Sequence, residues 1–350
     1  MGSTALILKV DNDLYMIKSI HISSFGPIKE VSCDNLGQIN LFIGHNGSGK
    51  TFLLKALYSA LKTVEAFRRG KEQRTDKEIL SDKLYWTFQS PTLGELVRKG
   101  DNSLRFSMKS NKNEVLSYSF GPATTKNVTT LTNSFEPKSD NTIFLPAKEI
   151  LSLRDVILEA RENFNAFGFD DAYYDLAKAL RPAIKGRNVK SFSDARKKLG
   201  EVVGGRIWYD ESLKSWFFYG ENNKKFDLSI TSEGIKKISI LDALLGNHYL
   251  ARGSIVIIDE AEANLHPEMI SRFLDIIYLL AKGGLQFFIT THSYFVIKKL
   301  YILAQQHKTS IPTWSFEGGE AYRYDLGEEM PENAIINESI RLYKEEIGAL

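Results

Sequence analysis

An α/β fold built on buried parallel strands is what this chain predicts, and three stretches of its 350 residues carry the prediction. Asn40-Leu41-Phe42-Ile43 leads into Gly44-His45-Asn46-Gly47-Ser48-Gly49-Lys50-Thr51. Ser254-Ile255-Val256-Ile257-Ile258 leads into Asp259-Glu260. Leu285-Gln286-Phe287-Phe288-Ile289 leads into Thr290-Thr291-His292-Ser293. Short apolar runs rich in β-branched and aromatic residues, without alternation, read as strands buried on both faces, as in parallel sheets. Each run ends in polar residues, and open α/β sheets bind ligands beyond the carboxyl ends of their strands.

The first stretch has the P-loop spacing: Gly, four residues, then Gly-Lys-Thr. Glycines let successive backbone N–H groups turn inward toward phosphate oxygens. Asn46, Gly47, Ser48, Gly49, Lys50 and Thr51 are therefore the expected nucleotide contacts. Lys50 reaches the β- and γ-phosphates, and the Thr51 hydroxyl is a magnesium ligand. Leu53, Leu54, Leu57, Leu61 and Val64 recur at helical spacing, so a helix follows with its N-terminal dipole aimed at the same anion.

Residues 62–80 mix Arg68, Arg69, Lys71, Arg74 and Lys77 with Glu65, Glu72, Asp76 and Glu78, and read as a solvated helix end and loop. Leu104–Met108 and Val115–Phe120 alternate as half-buried antiparallel strands. The Thr/Asn/Ser-rich residues 121–141 read as loop. From about 150 to 200 the period turns helical, through Val156, Ile157, Ala160 and Phe164, then Tyr173, Tyr174, Leu176, Ala177 and Leu180. No sustained heptad is present, so this is a compact lobe and not a coiled-coil arm. Arg181, Lys185, Arg187, Lys190, Arg196, Lys197 and Lys198 form a local basic excess, open to reading as a phosphate-backbone contact or as a solvated face. Arg206–Tyr209 and Ser215–Tyr219 predict a hairpin with its aromatics in the core, followed by a strand over Phe226–Ile230.

At the end of the second stretch, Asp259 is placed to hold magnesium, often through water. Glu260, one residue on, is placed to orient the attacking water and accept its proton. His292 ends the third strand, facing the same crevice, where it can donate to a γ-phosphate. Together these predict a Mg²⁺-dependent ATPase with ATP and Mg²⁺ as cofactors. A helix with Phe295, Val296, Leu300 and Leu303 follows, then a hairpin of Thr313–Phe316 and Ala321–Tyr324, and a last helix over about 333–347.

These residues resemble the ABC-type ATPases, specifically the soluble RecF/SMC/OLD branch. The opening Ile17–Ile28 looks like that branch's first strand and turn, and Asp259-Glu260-Ala261-Glu262-Ala263-Asn264-Leu265-His266-Pro267 looks like its extended Walker B and D-loop, with Ala261 where Pro is usual. His292 matches the switch histidine. Thr231-Ser232-Glu233-Gly234-Ile235-Lys236-Lys237 looks like a divergent signature motif, lacking the second Gly and the Gln of the transporter form. The resemblance implies that Ser232 and Gly234 contact the γ-phosphate held by a second subunit. It also makes Gln89 the candidate for the glutamine that watches magnesium. Phe144–Ser152 is similar to a segment of stand-alone members, including ATPases encoded beside an effector in bacterial anti-phage systems, and has no assigned chemistry. The implied architecture is an ABC-type head with a mixed and antiparallel β-subdomain and a compact helical insertion. Its divisions are an N-terminal ATPase lobe (1–149), the insertion (150–204), a lobe carrying signature, Walker B and switch histidine (205–305), and a C-terminal hairpin and helix (306–350). The implied assembly is a homodimer or higher oligomer with ATP sandwiched between heads.

Composition sets limits. The formal charge is +2, so no global electrostatic case for nucleic acid exists, although DNA or RNA stays open as a partner. Cys33 is the single cysteine, so no internal disulfide forms, in keeping with a cytoplasmic setting. No apolar run is long enough to span a membrane, and the first residues lack the pattern of a signal peptide or a myristoylation site. No nuclease signature is present, so an effector nuclease or toxin would be a separate chain. Two functional classes remain: a regulatory ATPase controlling such an effector in anti-phage defence, and a RecF-like DNA repair ATPase. A transporter subunit would carry the transporter-type signature.

Overall fold

The computed structural model describes residues 14–148, 150–181, 190–210, 212–213, 215–220, 224–228 and 231–349. Its strands are β1 (Ile17–Phe25), β2 (Ile28–Asp34), β3 (Ile39–Gly44), β4 (Leu104–Ser110), β5 (Val115–Phe120), β6 (Thr130–Asn133), β7 (Thr142–Leu145), β8 (Gly205–Asp210), β9 (Ser215–Gly220), β10 (Lys225–Asp227), β11 (Ile255–Ile258), β12 (Gln286–Thr291), β13 (Pro312–Glu317) and β14 (Glu320–Asp325). Its helices are α1 (Lys50–Ala66), α2 (Asp76–Phe88), α3 (Arg154–Glu162), α4 (Asp171–Ala179), α5 (Lys190–Val203), α6 (Glu233–Gly246), α7 (Pro267–Lys282), α8 (Tyr294–His307) and α9 (Ala334–Ala349).

The central sheet has the order β14-β13-β3-β12-β11-β7 and is parallel except for the edge strand β14. Every residue of β3, β11 and β12 is buried, as their unbroken apolar runs require. Alternate side chains serve two cores. Leu41, Ile43, Val256, Ile258, Phe287 and Ile289 pack toward the helical layer containing α5 to α8. Phe42, Ile255, Ile257, Phe288, Trp314 and Phe316 pack toward α1 and a second, antiparallel sheet of order β2-β1-β4-β5-β6. This arrangement puts the polar ends of β3, β12 and β11 side by side at one rim. A small sheet, β10-β9-β8, lies beside α5 and α6.

Several sequence expectations need correction. The segment 121–141 is not all loop: Thr130–Asn133 pairs with β5 as the outermost strand of the antiparallel sheet. One paired edge suffices for a polar four-residue strand, which leaves no hydrophobic pattern to read. Glu65 is not solvated; it is buried, accepting from Lys62 Nζ at 2.8 Å, Arg69 Nη1 at 3.1 Å and the Thr142 N–H at 2.8 Å. On α3 the buried apolar pair is Ile157 and Leu158, while Val156 is exposed and Phe164 lies beyond the helix end, also exposed. Arg196 leaves the basic surface, because it is buried and its Nε donates to Asp242 Oδ1 at 2.9 Å. Lys185 and Arg187 lie outside the described residues, as do Glu149 and the first 13 residues. The hairpin β8–β9 forms, but its aromatics are not all core: Phe218 is buried, Tyr209, Trp216, Phe217 and Tyr219 are half-buried, and Trp208 is exposed. Strand β10 covers Lys225–Asp227, residues 229–230 of the expected strand lie outside the described residues, and Phe295 on α8 faces solvent.

Candidate active site

The loop Gly44–Gly49 joins the end of β3 to the start of α1, with His45, Asn46 and Gly47 exposed and Gly49 and Lys50 buried. Gly49 has φ +105°, and a Cβ there would lie 2.7 Å from Ile28 Cγ1, so both conformation and space demand glycine. Lys50 Nζ donates to the carbonyls of Gly44 at 2.8 Å and His45 at 2.7 Å and to Ser48 Oγ at 3.3 Å. The ammonium is thus held inside the loop's own curl, and burial pushes its pKa down to about 8 against the pull of Asp259, Glu260 and Glu262.

Two strands away, Asp259 follows β11. The Thr51 hydroxyl donates to its carboxylate, at 3.1 Å to Oδ1 and 3.2 Å to Oδ2. Between β3 and β11 lies β12, and its Thr290 hydroxyl donates to Asp259 Oδ1 at 2.6 Å. The same Thr290 oxygen accepts the Glu260 N–H at 2.9 Å. One hydroxyl therefore fixes both acidic residues. Glu260 has φ +49°, a conformation rare for a non-glycine residue, and its carboxylate Oε1 stands 3.5 Å from His292 Nε2. The other ring nitrogen, Nδ1, is 3.1 Å from the Gly44 carbonyl. His292 is anchored again by its backbone N–H, which donates to Glu262 Oε1 at 2.7 Å, while Thr291 Oγ1 donates to Glu262 Oε2 at 2.8 Å.

The structure therefore brings Lys50, Thr51, Asp259, Glu260 and His292 to one rim, with Asn46, Gly47, Ser48 and Gly49 forming the adjacent loop. Ser232 and Gly234 begin α6; among the described residues they share no hydrogen bond with that group. Ser232 is exposed, and its hydroxyl does not cap its own helix. Gln89 ends α2 with φ +50°, and its Oε1 accepts from Gly168 N at 3.3 Å rather than touching Asp259 or Thr51. Thr290, Glu262 and Lys237, whose Nζ donates to the Glu260 carbonyl at 2.6 Å, complete the cluster and had no assigned role from sequence. Thr290 closes an apolar strand with Thr291, and Glu262 and Lys237 lie within the two stretches that carry the resemblance.

A hydroxyl and a carboxylate facing each other beside a phosphate loop form a hard oxygen donor set, which suits Mg²⁺. Among the described residues no group of three or more His, Cys, Asp or Glu side chains forms a self-contained metal centre. A magnesium ion here would accordingly complete its shell with phosphate and water oxygens, its usual habit.

Known proteins share this fold. The chain covers 89% of itself and 99% of an SMC head bound to the C-terminal winged-helix domain of ScpA, with 13% identity and a TM-score of 0.53. A second SMC head, with an extended coiled coil and bound to the C-terminal domain of ScpA derived from Pyrococcus furiosus, gives 12% identity, a TM-score of 0.50, and coverage of 95% and 99%. RecF with ATP scores lower, at 0.45 with 13% identity over 89% of this chain and 99% of that one. The fold is that of the SMC heads. A curated relative, the "Uncharacterized protein MJECL10" of Methanocaldococcus jannaschii, is 33% identical over 96 residues, 27% of this chain. That match spans 41% of the relative's length. The family model described as "AAA domain, putative AbiEii toxin, Type IV TA system" matches residues 39–298, from the start of β3 into α8, and the chain belongs to that family.

Proposed function

We propose that this chain binds and hydrolyses ATP with Mg²⁺, closes a head-to-tail dimer around the nucleotides, and uses that cycle to regulate a separately encoded nuclease or toxin in antiviral defence. The carrying observation is the meeting of Lys50, the Thr51–Asp259 pair and the Glu260–His292 pair at the carboxyl ends of neighbouring strands. The family's description, which names a putative toxin of a type IV toxin–antitoxin system, supports a place for this chain in such a module.

In this reading the backbone N–H groups of Asn46 to Thr51 and the Lys50 ammonium bind the β- and γ-phosphates. Thr51 and Asp259 would hold Mg²⁺, and Gln89 would have to leave Gly168 to join them. When bound, that ion would offset the negative charge that develops on the phosphate oxygens. Glu260 orients a water and accepts its proton as the water oxygen bonds to phosphorus and the bridging bond to ADP breaks. His292, held by Glu262, keeps one edge on Glu260 and turns toward the γ-phosphate. Ser232 and Gly234 of the second protomer complete the pocket from the far side.

Phosphate release by the wild type and Glu260→Gln tests this. The variant is expected to bind ATP as the wild type does and to lose about 10²- to 10⁴-fold in kcat, the usual worth of a positioned general base. A variant that hydrolyses at the wild-type rate removes Glu260 from the mechanism.

A further inference from the structure

The beginning of α6 is fastened to the loop after β11 at two points, and the chemistry above uses neither. At Gly234 a Cβ would lie 2.6 Å from the Asn264 carbonyl oxygen and 3.0 Å from Leu265 Cδ2, so helix and loop approach backbone to backbone. One turn on, Lys237 is 3% exposed and donates from Nζ to the Glu260 carbonyl at 2.6 Å. Glu260 is the residue with φ +49°. Such a conformation persists only where its surroundings over-determine it. Lys237 and Thr290 hold this residue from two separate elements, α6 at its carbonyl and β12 at its N–H.

Charge favours the same role. Asp259, Glu260 and Glu262 crowd one short loop, and the charge of each acts on the Lys237 ammonium. Burial pushes its pKa down to about 8, while those carboxylates act to raise it. A buried cation is costly unless paired and hydrogen-bonded, and here it has both a carbonyl and a cluster of opposite charge.

We infer that Lys237 is a positioning residue for Glu260, and that it couples hydrolysis at one nucleotide to engagement of the same chain's Ser232 and Gly234 by the nucleotide on the second protomer. The inference rests on the ATPase-dimer reading above. Ser232 and Lys237 are five residues apart across the start of one helix, with a rise of about 1.5 Å per helical residue, so displacement at the helix start reaches Glu260 through a stiff turn. A second nucleotide that draws α6 inward sets Glu260 for attack on the first. The two sites then fire together.

The test is phosphate release against ATP concentration for the wild type, Lys237→Met and Lys237→Arg, with binding of a fluorescent ATP analogue measured in parallel. Wild type is expected to show a Hill coefficient above one. Lys237→Met is expected to bind the analogue like the wild type, to lose about 100-fold in kcat, as small misplacements at reacting centres do, and to show a Hill coefficient of about one. Lys237→Arg, which keeps a cationic donor, is expected to recover part of kcat and the cooperativity together. A folded Lys237→Met with wild-type kcat and Hill coefficient overturns the inference while leaving the ATPase reading intact. A fall in kcat with unchanged cooperativity overturns the coupling. A wild type that releases no phosphate overturns both. Should Met at this position unfold the chain by circular dichroism, Lys237→Gln, neutral and too short to reach the carbonyl, is read by the same criteria.

Discussion

At the scale of single residues, the two acidic side chains at the end of β11 are set by one threonine. Thr290 donates to Asp259 and accepts from the Glu260 N–H. Thr290→Val keeps the shape and removes both bonds. Outer partners of metal ligands are commonly worth about 10- to 100-fold in metal affinity or activity. The Mg²⁺ concentration giving half-maximal ATP hydrolysis is therefore expected to rise about 10-fold or more in Thr290→Val and to return toward wild type in Thr290→Ser. An unchanged Mg²⁺ titration in the valine variant would remove Thr290 from this role. The sequence made Gly44–Thr51 legible because the whole loop is contiguous, and each residue type states its task. Thr290 and Lys237 were not legible as site residues, because their tasks exist only through contacts spanning 31 and 23 positions. Gln89 carried a role by resemblance alone, and its side chain is turned to Gly168.

At the scale of elements, the helix that follows the P-loop is fastened to the helical insertion by buried charge. Asp175 on α4 accepts from the Tyr58 hydroxyl of α1 and from Lys83 Nζ of α2, both at 2.7 Å. Asp171 accepts from Lys83 at 2.7 Å and from Arg161 at 2.8 Å, and Asp170 pairs with Lys55 of α1 at 2.7 Å. Burial by itself would raise the Asp175 carboxyl, but Lys83 and Lys62 hold it well below the usual carboxylate range. Removing Asp175 leaves Lys83 to Asp171 alone and takes the short bond from the buried Tyr58 hydroxyl, so Asp175→Ala is expected to cost about 1–3 kcal/mol in urea unfolding at pH 7. A depressed folded pKa gives stability that is full above the unfolded value near 4 and is lost as pH falls below it. The stability gap between wild type and Asp175→Ala should accordingly narrow below about pH 4; a gap that stays constant down to pH 2 would show that the carboxylate is not the source. Strands β3, β11 and β12 were readable because burial on both faces writes an unbroken apolar run. Strand β6 and the depth of Glu65 were not, since a polar edge strand and a buried ion pair look like surface in one dimension.

At the scale of the whole molecule, Ser232 and Gly234 share no hydrogen bond with the rim residues among the described residues. Lys50, Thr51, Asp259, Glu260 and His292 gather at the strand ends, while Ser232 stands exposed at the start of α6 with its hydroxyl uncommitted to its own helix. A head-to-tail pair reconciles these positions, since each chain then supplies what the other lacks, and it is the arrangement in which the Lys237 link has work to perform. Ser232→Arg is expected to block pairing by bulk and charge while leaving nucleotide binding to the single chain unchanged, as read by titration with the fluorescent analogue. The most direct measurement is the mass in solution of Glu260→Gln by sedimentation velocity, with and without ATP and Mg²⁺. The account expects a monomer without nucleotide and a stable dimer with both, and a return to monomer when Ser232→Arg is added. A chain that stays monomeric at saturating ATP and Mg²⁺, or that dimerises equally without them, would contradict it.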